Sequence, residues 1–307
     1  MGPVRTPLER VPSPLLVLGA IVSVQCGSAV AAKMFDRLEP TTVVFFRLLL
    51  SALVLCVAIR PKVWRWSRAS LLAAVLLGLS MSAMNLVFYQ ALSSAPLGAA
   101  VTVEFLGPLL LALVQTRRLL DLAFALLAAA GVALLGISDA AGGAQTRGLV
   151  LAFVAGLFWA GYIVASARVG ALLPGTQGLA VSLAVGAAVA GVVTAFREPQ
   201  HVLPTFTSGD LLLHAVGVAL LSSVVPYSLE MAALRRLSTR VFGVLMSLEP
   251  MSATLAGLVI LGQSLTLRSV VALVLVSVAS LGVTLTARAK GVDDRLDDDA
   301  LVEAGTG

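Results

Sequence analysis

Residues 246–262 read MSLEPMSATLAGLVILG, an apolar run with Glu249 and Pro250 side by side near its start. Whether such a run lies in a soluble core or in a bilayer decides the fold. The 307-residue chain is 59% hydrophobic and 12% charged, with a mean hydropathy of +1.00. Soluble domains carry roughly 45 to 50% apolar and about 25% charged residues. The surroundings of this run are therefore lipid.

Outward from it, apolar stretches recur along the whole chain. Each is long enough, at about 17 to 25 residues of helix, to cross about 30 Å of hydrocarbon. Ten are read, at 14–32, 42–60, 70–92, 97–115, 121–138, 148–168, 177–196, 209–234, 240–262 and 268–287. No gap between them holds a soluble domain. Of the 21 Lys and Arg residues, fifteen fall on the side shared by the termini, five on the other, and Arg47 lies inside a helix. By the positive-inside rule both termini are cytoplasmic. The net charge of +5 is then a topology signal and not a nucleic-acid footprint. Trp64 and Trp66 in RPKVWRWSR read as an interfacial anchor. Ala29-Val30-Ala31 has the form of a signal-peptidase site, but its segment has a counterpart in the second half, so an uncleaved first helix is expected.

The halves repeat. Ala91-Leu92 and Pro108 match Ala233-Leu234 and Pro250 at one spacing, and Gly131-Val132-Ala133-Leu134 echoes Gly282-Val283-Thr284-Leu285. Five crossings per half is an odd number, so the halves enter the membrane in opposite senses. These features predict an all-α integral membrane protein of ten transmembrane helices, arranged as two inverted-topology repeats of five at 14–138 and 148–287. An acidic, disordered cytoplasmic tail is expected at 288–307. Ala152, Gly156 and Ala160, like Gly78 and Ser82, are spaced by four, which allows close helix packing.

Polar groups inside the apolar runs are the candidate site. An ionised residue at a helix centre costs about 2.5 to 3.5 kcal/mol on insertion, and each Leu, Ile, Val or Phe returns about 0.3 to 0.6. The neighbours of Glu249 thus roughly offset it. Pro250 removes a helix hydrogen bond and clashes with the carbonyl of Met246, which predicts a kink with free carbonyls near Glu249, and Pro108 predicts the same in the first half. Two kinked helices meeting across a pseudo-symmetry axis would line a polar cavity.

Arg47, Glu104 and Glu230 are the other charges in the spans. Arg47 also fits snorkelling or a pair with a glutamate, and Glu230 fits a salt bridge to Arg235 or Arg236. Gln25, Asn85, Tyr89 and Tyr227 add neutral hydrogen-bonding groups, which can equally bond a neighbouring helix. A zwitterionic amino acid needs a cation for its carboxylate and an anion or carbonyls for its ammonium, and Arg47 with Glu104 or Glu249 could supply both. A glutamate could alternatively carry a proton.

Other classes lack their residues. Lys33, Lys62 and Lys290 are not followed by Ser or Thr, so there is no P-loop. His201 and His214 are the two histidines, Cys26 and Cys56 lie in different spans, and no metal site or cofactor is expected. Asp210 and His214, one turn apart, read as an interfacial pair.

PLGAAVTVEFLGPLLLAL (96–113) and VPYSLEMAALRRLSTRVFGVLMSLEPMSATLAGLVILGQSLT (225–266) resemble the drug/metabolite transporter superfamily and its EamA repeat. The second stretch is most similar to the bacterial threonine/homoserine exporters. The resemblance spans residues 14–287 and implies an inner-membrane, proton-driven exporter of amino acids, with a cavity between the halves that opens alternately to each side. It marks Arg47 in FFRLLL, Glu104 in VEFLGP, Glu230 in YSLEMAAL and Glu249 in MSLEP as family-like polar positions. One departure is Gln263 in LGQSLT, where the repeat often has an acid, so the ion-pairing or capping role of that acid is in question. An exporter of another metabolite or drug, and a membrane scaffold or receptor that moves nothing, remain alternatives, and a homo-oligomer is left open.

Overall fold

The computed structural model describes residues 11–115, 119–136, 143–234, 236–237 and 239–286. Arg117, Arg118, Arg235 and the expected tail at 288–307 lie outside them. Every regular element among the described residues is helical. In chain order these are α1 (Ser13–Lys33), α2 (Pro40–Ile59), α3 (Arg68–Leu92), α4 (Leu97–Glu104), α5 (Leu106–Gln115), α6 (Leu119–Gly136) and α7 (Gly143–Leu172). There follow α8 (Gln177–Arg197), α9 (Pro199–Thr207), α10 (Gly209–Ala219), α11 (Val225–Leu234), α12 (Thr239–Met246), α13 (Glu249–Leu261) and α14 (Leu267–Thr286). Among the described residues, seven helical stretches are long and apolar enough to cross a membrane, and three apolar helical stretches are shorter.

Local chemistry sets the ends. Proline stands in the first turn of α1, α2, α9 and α13, where its missing N–H costs nothing. Ser67 and Ser208 cap α3 and α10 by accepting the Ser70 and Leu211 N–H groups. The short helix α9, in the gap between the spans read at 177–196 and 209–234, lies between two membrane-length stretches.

Three prolines interrupt the helices. Pro108 blocks the carbonyl of Glu104, and α4 ends at that residue, with Phe105 leading into α5. Pro250 blocks Met246, and α12 ends there, while Glu249 and Pro250 open α13. The run read as one kinked span is thus two helices, and Glu249 sits in a first turn, where the helix dipole favours a negative charge. Pro226 has no N–H for the Ser222 carbonyl, and the chain there widens into a π-helical turn at Leu220–Val224, between α10 and α11.

The bundle packs α3 on α7 and α8, α2 on α8 and α10, α1 on α11 and α13, α4 on α7 and α13, and α6 on α14. Where α4 and α5 cross α7, Gly107 and Gly156 meet so closely that a methyl group on Gly107 would overlap the Gly156 backbone. Gly156 in turn lies against the Glu104 carbonyl that Pro108 leaves without its helical donor. One apolar cluster runs from Val43 and Phe46 of α2 through Met81 and Tyr89 of α3 to Leu183 and Ala187 of α8 and Ala253 of α13.

Candidate functional site

A cavity of about 450 Å³ lies where α1, α2, α3, α4, α5, α7, α11, α12, α13 and α14 converge. Gln25, Arg47, Asn85, Glu104, Pro108, Tyr227, Glu230 and Glu249 line it. Of the residues singled out from sequence, Tyr89 stands behind the wall, and Pro250 acts through the helix break beside it. The volume lies within the range of small-molecule sites.

Arg47 is buried in α2, and neutral groups hold it. Its Nε donates to Ser223 Oγ at 3.2 Å, Nη1 to the Tyr89 hydroxyl at 2.9 Å and Nη2 to the Ser222 carbonyl at 2.9 Å. The guanidinium also lies 5.5 Å from the centre of the Tyr89 ring. Among the described residues no carboxylate comes within salt-bridge distance of it, so the pairing with a glutamate weighed above is absent there. Of the five guanidinium N–H groups, one on each terminal nitrogen is left without a partner among the described residues.

The π-helical turn is the mount for this arrangement. Its carbonyls and that of Ala219 accept from side chains of two other helices: Ser51 to Ala219 at 3.3 Å, Ser23 to Leu221 at 2.8 Å and Arg47 to Ser222. Ser23 is two residues from Gln25, so α1 and α2 are tied to one turn of chain. Buried carbonyls need donors, and these three side chains supply them.

Gln25 Nε2 donates to Glu249 Oε1 at 3.1 Å. The other oxygens of this pair, Gln25 Oε1 and Glu249 Oε2, are sealed from solvent and have no partner among the described residues. Glu104 faces the charges of both Glu249 and Arg47, and Glu249 faces that of Glu230. Asn85 spends its amide on the Met81 carbonyl of its own helix at 2.8 Å. Three carboxyl groups and one guanidinium thus share one cavity. The remaining wall is largely apolar, and Phe88, Phe105, Trp159, Tyr162 and Phe242 are its aromatic members. Phe105 and Trp159 pack edge to face, their ring centres 5.1 Å apart.

Exposure differs along the cavity. Gln25, Arg47, Asn85, Phe88, Glu104 and Glu249 are buried, whereas Ile163, Tyr227, Glu230, Phe242, Met246 and Ser280 are half-exposed. The second set lies toward the bundle end that carries Arg60, Lys62, Arg65, Arg68 and Arg168. At the other end Arg37 pairs with Asp210, which His214 also approaches at 3.4 Å, and buried Glu198 accepts from the Thr41 and Thr42 hydroxyls at the start of α2. Gln263 accepts the Leu97 N–H at 3.0 Å, so it caps α4 without a charge.

Sequence reading missed Ser222, Ser223, Trp159, Tyr162 and Glu198. Pro226, four residues after Ser222, was the available signal, since it carries the same local physics as Pro108 and Pro250. No comparable pattern marks the others.

The family model for EamA-like transporters matches residues 146–285. A threonine/homoserine exporter from Salmonella typhimurium strain LT2 is 37% identical over 281 residues, covering 89% of this chain and 92% of that protein. The chain belongs to the EamA-like transporters of the drug/metabolite transporter superfamily. Its counterpart from Escherichia coli K12, likewise named a threonine/homoserine exporter, is 35% identical over 290 residues, covering 92% and 95% of the two chains. A solved crystal structure with 21% identity covers 90% of this chain and 97% of its own, at a TM-score of 0.62, and shares the fold. Membership of this family makes the chain a multi-pass membrane protein and a transporter of small metabolites.

Proposed function

We propose that the chain is a secondary active exporter of small amino acids, threonine and homoserine first, working by alternating access in the inner membrane and coupled to protons. The observation that carries this reading is the membrane-depth cavity that holds Arg47 and Glu249 together, opposite charges of the kind a zwitterion requires. The exporter names of relatives more than a third identical favour the same substrates.

Ten crossings in two inverted repeats complete the reading. In support, the helix contacts obey an exchange of halves: α3 on α7 corresponds to α11 on α1, α4 on α7 to α12 on α1, and α5 on α7 to α13 on α1, while α6 on α14 and α2 on α8 map onto themselves. With both termini cytoplasmic, the half-exposed end of the cavity faces the cytoplasm, where an exporter collects its substrate. Glu104, Glu230 and Glu249 are the candidate proton carriers. A second reading, export of a larger metabolite of the same zwitterionic kind, is favoured by the apolar wall with its aromatic residues and the volume of about 450 Å³.

The test is efflux of labelled threonine and homoserine from energised cells, comparing the chain with a Glu249→Gln variant at equal membrane abundance. Faster efflux with the parent, lost in the variant, is expected. No acceleration by well-inserted parent protein would sink the substrate assignment.

A further inference from the structure

Resting on the amino-acid reading above, we propose that the Gln25–Glu249 pair is the ammonium subsite of the cavity and that Arg47 anchors the carboxylate of the same ligand, an α-amino acid. Two oxygens carry the first half. Gln25 Oε1 and Glu249 Oε2 are both hydrogen-bond acceptors, both belong to residues on the cavity wall, and both are sealed without a donor among the described residues. Such atoms are costly until a donor reaches them. They belong to two side chains already joined by the Gln25 to Glu249 hydrogen bond. Among common ligand groups, a primary ammonium brings three N–H donors and a charge opposite to the carboxylate. Neither Glu104 nor Glu230 has a sealed oxygen without a partner among the described residues, which distinguishes Glu249 from the other two acids.

The second half follows from how Arg47 is held. Three neutral acceptors fix its orientation while leaving its charge uncompensated and two N–H groups open, an arrangement suited to a carboxylate. The two subsites hang from one turn of chain, since Ser23 bonds Leu221 and Arg47 bonds Ser222 and Ser223. That common mount ties α1, which carries Gln25, and α2, which carries Arg47, to the same turn.

Purified full-length protein in lipid nanodiscs tests this by competition against labelled threonine. The competitors are 3-hydroxybutyrate, which lacks the ammonium, and 1-aminopropan-2-ol, which lacks the carboxylate. The parent protein is expected to prefer threonine to each by at least about tenfold. In Glu249→Gln and in Gln25→Leu, the preference over 3-hydroxybutyrate falls to about threefold or less, while the preference over 1-aminopropan-2-ol stays. Because each preference is a ratio within one protein, a variant of reduced yield still reports it, and either variant suffices if the other does not fold. Undiminished preference in both variants overturns the subsite and leaves the exporter reading standing. So does a Glu249→Gln protein that keeps the preference and loses only the pH dependence of binding, which makes the carboxyl a proton carrier. A parent protein that binds no amino acid removes both the functional reading and the subsite.

Discussion

Arg47 illustrates how a single residue is decided by its neighbours. A buried guanidinium in a membrane helix is costly unless its donors are met, and here the carbonyl of Ser222 is available because Pro226 removes that carbonyl's helical donor. Lysine in its place keeps the charge and loses the planar fork. We expect Arg47→Lys to lower threonine efflux by at least about tenfold at unchanged membrane abundance, since a charge-assisted hydrogen bond is worth about 1.5 to 3 kcal/mol. Pro226→Ala gives the Ser222 carbonyl a competing backbone donor. The expected result is a protein at least as stable to heating as the parent, but with slower efflux.

Among elements, the crossing of α4 and α5 with α7 is the tightest constraint. A Cβ at Gly107 meets backbone and not a flexible side chain, so the helices themselves must separate. Gly107→Ala is expected to destabilise by about 1 to 3 kcal/mol, read as a lowered melting temperature of the purified protein. The start of α4 depends on Gln263, which emerges from a left-handed turn at Gly262 and reaches the Leu97 N–H over the bare face of Gly257. Loss of this cap in Gln263→Ala should cost about 0.5 to 2 kcal/mol, whereas Gln263→Glu, which keeps the acceptor, should restore most of it in the same melting assay. Capping thus survives where the family's usual acid is absent.

For the whole molecule, the two ends of the cavity are unequal. Tyr227, Glu230 and Phe242 on one side are partly exposed, whereas on the other side of the bundle Arg37 pairs with Asp210 and Glu198 holds the start of α2. The Arg37–Asp210 pair is exposed, so solvent screens it and its worth to stability is small. Under the alternating access proposed above, an equilibrium between two openings would respond even to small differences. Asp210→Arg should raise labelling of a cysteine placed at Ser28 by an impermeant reagent from the Arg37 side, in a background without Cys26 and Cys56. The double exchange Arg37→Asp with Asp210→Arg should return it to the parent level.

The apolar runs, the arginine asymmetry and the matched prolines determined by themselves that this chain is a helical membrane protein, and the residues around Glu230 and Glu249 were sufficient to suggest its family. Insertion and helix breaking are local: both depend on about twenty residues of composition or on one ring without an N–H. The tertiary structure decided that Glu249 opens a new helix instead of interrupting one, that Arg47 rests on serine and tyrosine instead of a glutamate, and that Trp159 and Tyr162 reach the same cavity. Those facts depend on which helices meet. Contacts between residues as distant in sequence as Gln25 and Glu249 leave no periodic signal along the chain.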